Sequence, residues 1–424
     1  MNEVTHVKDT LPSGLRVITV PMPSTRSVTL LIMAAAGSRY ETREINGISH
    51  FMEHMFFKGA KKYPDTMSVA AAIDGAGGLF NAFTSEERVA YFVKISSSRM
   101  ETAYDVLSDM MLHSKFDQEE LDKERGVIIE EIRMYYDDPM SRVQQEFKRH
   151  FFGDQPLGWD IAGPEEVIQT VTREAFTRFR DYHYTAGNVV IAAAGDIERN
   201  HNLDLVSKYF QFEGGNGRRS PAPYQPREGE RSLLVNKQTE QAHFVMGFPV
   251  PGEDHKDLPA LKILSTVMGG AMSSRLFHEI REKRGLAYYI STHNNAYLDT
   301  GVFTISTGVN LKRAEEAVKC VSEELVKAAA KGFTEEELTR GRENLKGKLD
   351  LSLENSMTQA NLYAGKEALT GKIKTPAQIV SELDSVTLEG LNEAARNYFD
   401  FSKVKLAVLG PYDDMTPYDK ALEG

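Results

Sequence analysis

Tyr91-Phe-Val-Lys-Ile95 reads as a strand and runs into a helical pattern over 98–114, after which Phe116-Asp-Gln-Glu-Glu-Leu121 opens a further helix on an acidic first turn. The order returns later in the chain as Val302-Phe-Thr-Ile-Ser306, a helical pattern over 311–331, and Phe333-Thr-Glu-Glu-Glu-Leu338. Recurrence of strand, helix and acidic helix start at a nearly constant offset predicts a duplicated α+β unit. Between the copies lies Glu213-Gly-Gly-Asn-Gly-Arg-Arg-Ser-Pro-Ala-Pro-Tyr-Gln-Pro-Arg-Glu-Gly-Glu230, whose density of glycine, proline and charge opposes regular structure. The expected organisation is a domain over 1–212, a linker over 213–230 and a homologous domain over 231–424, and 424 residues suffice for two cores.

In the first copy, the stretch from Asn46-Gly-Ile-Ser through His50-Phe-Met-Glu-His54 to Met55-Phe56-Phe57 reads as one amphipathic helix ending near Lys58-Gly59. On it His50 and His54 stand one turn apart and point the same way, the spacing at which two imidazoles share one metal ion. Glu53 lies beside them without being forced into the coordination shell, where it can hold a water and take its proton. This H-x-x-E-H order is the inverse of the H-E-x-x-H signature. The same offsets also arise by coincidence on an ordinary helix, so a third donor is needed to complete a site. The second copy, including its helical pattern at 257–268, carries no H-x-x-E-H. Chemistry is therefore expected from the first domain, and surface and substrate contacts from the second.

Residues 117–137 form a long helical pattern with Gly126 as its interior weak point. Leu121, Ile128, Ile132 and Tyr135 mark the centre of its apolar face, and Val127 and Ile129 widen it. At about 100° per residue, Glu124 and Glu131 fall inside that arc and Glu130 falls on the solvated side. Carboxylates among core positions are costly to bury unless they meet a cation or hydrogen-bond donors; the other reading places both at the helix flank, snorkelling to water. Beside the histidines, Glu131 is the expected third ligand and Glu124 the carboxylate that supports one.

At this point the chain resembles the inverted-zincin peptidases, the family of pitrilysin, insulin-degrading enzyme and the mitochondrial processing peptidase. Their signature is H-x-x-E-H with a glutamate ligand on a later helix and a second acidic residue seven positions before it. His50, Glu53, His54, Glu124 and Glu131 match it position for position. Gly77-Gly78-Leu79-Phe80-Asn81-Ala82-Phe83-Thr84 is similar to the family's G-G-x-x-N-A-x-T strand. In the run from Ser273 to Tyr288, Arg281 and Tyr288 match an arginine and a tyrosine that contact the bound peptide.

The resemblance implies one zinc ion per subunit on His50, His54 and Glu131, with Glu124 behind them and with Glu53, Arg281 and Tyr288 in catalysis. It implies that Asn81, Ala82, Phe83 and Thr84 lie on an edge strand that pairs backbone to backbone with an extended peptide. It also implies an α+β sandwich in each domain, a sheet covered by helices, and two chains closing as a clamshell around a chamber. In double-length relatives the metal site and the arginine–tyrosine pair lie in the first and last of four domains, which implies a homodimer with composite sites. The residues alone favour plainer readings for the pair: a cation near a helix C-terminus for Arg281, a rim hydroxyl for Tyr288. For 79–84 they leave an interior strand as an equal alternative.

The net charge of −11 argues against nucleic acid, whose phosphates would be repelled. It suits basic peptides, and it is also an ordinary solubility charge. Cys320 is the lone cysteine, so no disulfide forms within the chain, and its helical setting suits a small core residue. The first residues lack a signal or presequence pattern, and the apolar run ending in Ala34-Ala35-Ala36 is too short to span a bilayer. A cytoplasmic protein without membrane insertion is the expectation. The motifs together predict a zinc endopeptidase acting on unfolded or short peptides. The competing classes are a non-catalytic assembly subunit, which typically lacks parts of the metal motif, and a protease dedicated to maturing one precursor peptide.

Overall fold

The computed structural model describes residues 6–212, 215, 217–227 and 229–423. They sort into two compact units: residues up to 133, 159–222 and 350–375 in the first, and 134–158, 223–349 and 376 onward in the second.

The first unit is built on β1 (Val7–Thr10), β2 (Arg16–Pro21), β3 (Ser27–Ala34), β4 (Leu79–Thr84), β5 (Val89–Ser96) and β6 (Val189–Gly195). Their order is β1-β2-β6-β3-β5-β4, with β2 and β6 parallel and the other neighbours antiparallel. β3 and β6 lie inside the sheet and are buried on both faces, which is why they read as unbroken apolar runs. On β3, Leu30, Ile32 and Ala34 join a core with residues of the helices Ile48–Phe56 and Met100–His113. Leu31 and Met33 turn to the opposite face, where Ala360, Tyr363, Ala364 and Ala368 of the helix Ser356–Leu369 cover them. That helix is pinned by Glu367, whose carboxylate meets Lys8 at 2.9 Å and Arg16 at 3.4 Å.

The second unit repeats the plan with β7 (Ser232–Asn236), β8 (Gln241–Val250), β9 (Ala287–Ala296), β10 (Gly301–Asn310) and β11 (Lys405–Gly410), in the order β7-β11-β8-β10-β9. The order is that of β2-β6-β3-β5-β4, and β7 with β11 is again the parallel pair. Phe244, Met246 and Phe248 of β8 pack into a core with the helices Leu258–Met268 and Ala314–Lys331. Val245 faces the other way, against Val143, Phe147 and Phe152 of the helix Pro139–Phe152.

Each sheet therefore has its second apolar face covered by a helix from the other half of the sequence. The division between the units at 222/223 falls inside 213–230, but the contiguous domains expected at 1–212 and 231–424 each give up a segment. The physical reason is that a sheet apolar on both faces needs two helical layers. Among the described residues, no helix is long and apolar enough to cross a membrane.

Candidate metal centre

The helix Ile48–Phe56 starts at Gly47, whose φ of +99° is left-handed. A Cβ there would also meet the Ala162 carbonyl oxygen at 2.5 Å, so glycine is required on both counts. Ile48, Phe51, Met52, Met55 and Phe56 turn into the core. His50, Glu53 and His54 are left on the partly open side, with the two imidazole centroids 4.8 Å apart.

The helix Gln118–Asp137 buries Leu121, Glu124 and Ile128 and brings Glu131 to the histidines. The Glu131 Oε2 atom lies 3.6 Å from Nε2 of His50 and 3.6 Å from Nε2 of His54. Ligand atoms of all three residues lie within 4.8 Å of one another. Glu130 points to solvent with Arg133 as its partner, as its helical phase requires. Two expectations on this helix fail: Val127 is 52% exposed and Tyr135 38%. Tyr135 lies past Ile132, the last residue of this helix that packs on the core, whereas Val127, next to the buried Ile128, lies on the flank of the helix that faces solvent.

Glu124 accepts from His54 Nδ1 at 2.9 Å, which leaves His54 Nε2 as the free lone pair on the side of Glu131. Its other oxygen meets Lys58 Nζ at 2.6 Å. Burial alone would push the Glu124 carboxyl up, but His54 and Lys58 hold it below its usual value and keep it an acceptor. Burial, then the neighbouring His54, pushes His50 down to about 4 and keeps it neutral. Lys58 was not singled out from the sequence. Its position four residues after His54, one turn on, was the available signal.

Glu53 receives a hydrogen bond from Thr84 Oγ1 to Oε2 at 2.6 Å. Burial raises its pKa above the ordinary carboxylate value, against the lowering by Thr84. β4 is an edge strand, and within the sheet β5 is its one neighbour among the described residues. Asn81 on it is exposed, while Ala82, Phe83 and Thr84 are half-buried. The Thr84 side chain is thus engaged by Glu53. Arg281 and Tyr288 belong to the second unit. Arg281 sits in a π-helix, Phe277–Lys283, its guanidinium 5.9 Å from the ring centroid of Tyr288. Tyr288, on edge strand β9, is 75% exposed.

Two imidazoles, neutral or held in one tautomer, and one carboxylate form a donor set suited to zinc, with a fourth position for water. This donor set sits on a duplicated α+β frame, and both can be set beside known proteins. Residues 16–165 match the family described as Insulinase (Peptidase family M16), and residues 170–345 match the description Peptidase M16 inactive domain. The uncharacterized zinc protease YmxG of Bacillus subtilis is 37% identical over 406 residues, covering 96% of this chain and 98% of that protein. An uncharacterized zinc protease of Streptomyces coelicolor is 34% identical, covering 96% of this chain and 90% of that one. The crystal structure of a protease from Helicobacter pylori superposes with a TM-score of 0.90 at 25% identity, over 96% of this chain and all of that one. A Pseudomonas fluorescens structure titled as a peptidase M16 inactive domain shares the fold at a TM-score of 0.89 and 19% identity, over 96% of this chain and 98% of that one. The chain belongs to peptidase family M16.

Proposed function

We propose that this chain is a zinc-dependent endopeptidase that cleaves unfolded or short peptides. The observation that carries the reading is the convergence of His50, His54 and Glu131 beside a carboxylate, Glu53, already held by Thr84. A zinc ion held by the three residues would acidify a water and polarise the scissile carbonyl. Glu53 takes the proton of the attacking water and passes it to the leaving amine, and its raised pKa brings it nearer the working pH for both transfers. Glu124 and Lys58 keep His54 in the tautomer that offers Nε2. Pairing along the edge of β4 uses main-chain groups that every extended peptide has, which favours unfolded substrates of many sequences. The description "inactive" falls on residues 170–345, which hold no H-x-x-E-H, and the complete donor set weighs against a purely structural subunit.

The working form in this proposal is a homodimer. Each site takes its metal ligands and Glu53 from one subunit, and Arg281 and Tyr288 from the other hydrogen-bond the carbonyl or the developing oxyanion. One experiment tests the chemistry and the assembly together. Glu53→Gln and Arg281→Ala homodimers should each lose turnover, Glu53→Gln by about 10²–10⁴-fold with zinc retained. Co-refolded, they should recover roughly a quarter of wild-type activity, because about half the dimers are mixed and each of those has one intact site. Full activity in Glu53→Gln rejects the general base. Absence of recovery, with mixed dimers confirmed by mass spectrometry, rejects the shared site.

A further inference from the structure

The first turn of any helix leaves backbone N–H groups without partners inside the helix, and a side chain at the N-cap normally takes them. The helix that carries His50, Glu53 and His54 has Gly47 at its N-cap and so has no such side chain. Glu41 supplies the acceptors instead. Its carboxylate is buried, with Oε2 accepting from Gly47 N at 2.7 Å and from Asn46 Nδ2 at 2.9 Å, and Oε1 accepting from Ser49 N at 2.8 Å. Asn46 Nδ2 also donates to the Asp160 carbonyl at 3.0 Å, which fixes the orientation of its amide.

The turn that delivers Glu41 has a second attachment. Arg39 donates its backbone N–H to the Glu86 carbonyl at 2.8 Å, and its guanidinium forms a buried ion pair with Glu87. Glu86 and Glu87 lie in the connection between β4 and β5, next to Thr84, which bonds Glu53. One short segment, residues 38–41, thereby anchors both the start of the histidine helix and the end of the strand that holds the base.

We infer that Glu41 is a positioning residue for the metal centre: as an acceptor replacing the absent N-cap side chain, it fixes the first helical turn and with it His50. His50 is the third helical residue, directly after Ser49, so it is the ligand most displaced when that turn loosens. The consequence for zinc rests on the proposed peptidase reading; the consequence for the helix does not.

The test compares Glu41→Gln with Glu367→Gln, a buried carboxylate on the helix covering the opposite face of the same sheet. In Glu41→Gln an amide N–H₂ replaces one acceptor and confronts donors, since Asn46 is already oriented by Asp160. In metal-free protein, hydrogen exchange across residues 47–51 should speed up in Glu41→Gln and stay at the wild-type rate in Glu367→Gln. In chelator competition, zinc affinity should fall about tenfold in Glu41→Gln and stay within twofold in Glu367→Gln, even though both variants melt earlier. Should Glu41→Gln fail to fold, Glu41→Asp keeps the charge, shortens the reach to Gly47 N and Ser49 N, and carries the same comparison. Unchanged exchange at 47–51, or a zinc affinity that follows melting temperature equally in both variants, would overturn the inference. A wild-type chain that binds no zinc would overturn the peptidase reading, and exchange at 47–51 would still decide the role of Glu41.

Discussion

The helix after β3 and the helix after β8 occupy the same place in two sheets of the same strand order, and they serve different ends. In the second unit, Leu258–Met268 buries Leu261, Ile263, Leu264, Val267 and Met268. In the first, Ile48–Phe56 keeps His50, Glu53 and His54 out of the core. The partner helices differ in step. Counting from Phe116 and from Phe333, Glu124 corresponds to Gly341 and Glu131 to Lys348. At Gly341 a Cβ would meet Val267 Cγ2 at 2.7 Å and Ile263 Cγ2 at 3.2 Å, so the two helices there are in direct contact. At Glu124 the corresponding space is filled by a carboxylate that reaches His54. Both helix pairs pack on apolar cores, but at the matching position the second unit has close apolar contact and the first an ionisable pair. The second unit thus closes the same strand order with an apolar helix pair, and the first carries the candidate donor set in addition.

The largest effect should come from breaking that addition at its third donor. Glu131→Gln is expected to lower zinc affinity by more than about 100-fold, Glu124→Gln by about 10–100-fold, and Glu130→Gln by less than twofold. Competition with a chelator ranks the three, while circular dichroism should show all of them folded without metal. A dominant effect of Glu130 would contradict the geometry. Next in size, Thr84→Val removes the hydroxyl that holds Glu53. It should lower kcat about tenfold with zinc affinity unchanged, read from peptide turnover at saturating metal. A loss that appeared wholly in KM would instead assign Thr84 to substrate binding.

The sibling helices give the two smallest effects, opposite in sign. Gly341→Ala should destabilise the second unit by about 1–2 kcal/mol through crowding against Val267 and leave zinc binding intact. Gly126→Ala, on the metal-bearing helix, has open space around its Cβ. It should stabilise by about 0.5–1 kcal/mol through helix propensity alone. Thermal melts of chelated protein measure both. Equal signs would mean that the close approach in the second unit is not the constraint described.

Much of this comparison is legible in the sequence because it rests on local periods. The offsets of His50, Glu53 and His54 follow from helical geometry, and the phase of 117–137 separates Glu124 and Glu131 from Glu130 before any contact is known. The repeated strand, helix and acidic start predicts two related sheets. What the sequence hides depends on where the chain goes next. The helices Pro139–Phe152 and Ser356–Leu369 are apolar enough to cover a sheet, and nothing in their own residues says which one. Val127 and Tyr135 fit the helical period but stand at positions the core does not reach. Thr84, Lys58 and Glu41 act on the histidine helix through contacts that no spacing rule relates, apart from the one-turn offset of Lys58 from His54.

The central claim is that the first unit holds one zinc ion and that hydrolysis depends on it. Metal-stripped chain titrated with zinc, and assayed at each step for bound metal and for cleavage of an unstructured quenched peptide, tests it directly. Cleavage should be absent without zinc, rise in proportion to bound metal and level off at about one ion per chain. Undiminished cleavage by the stripped chain, or no cleavage at full occupancy, would contradict it.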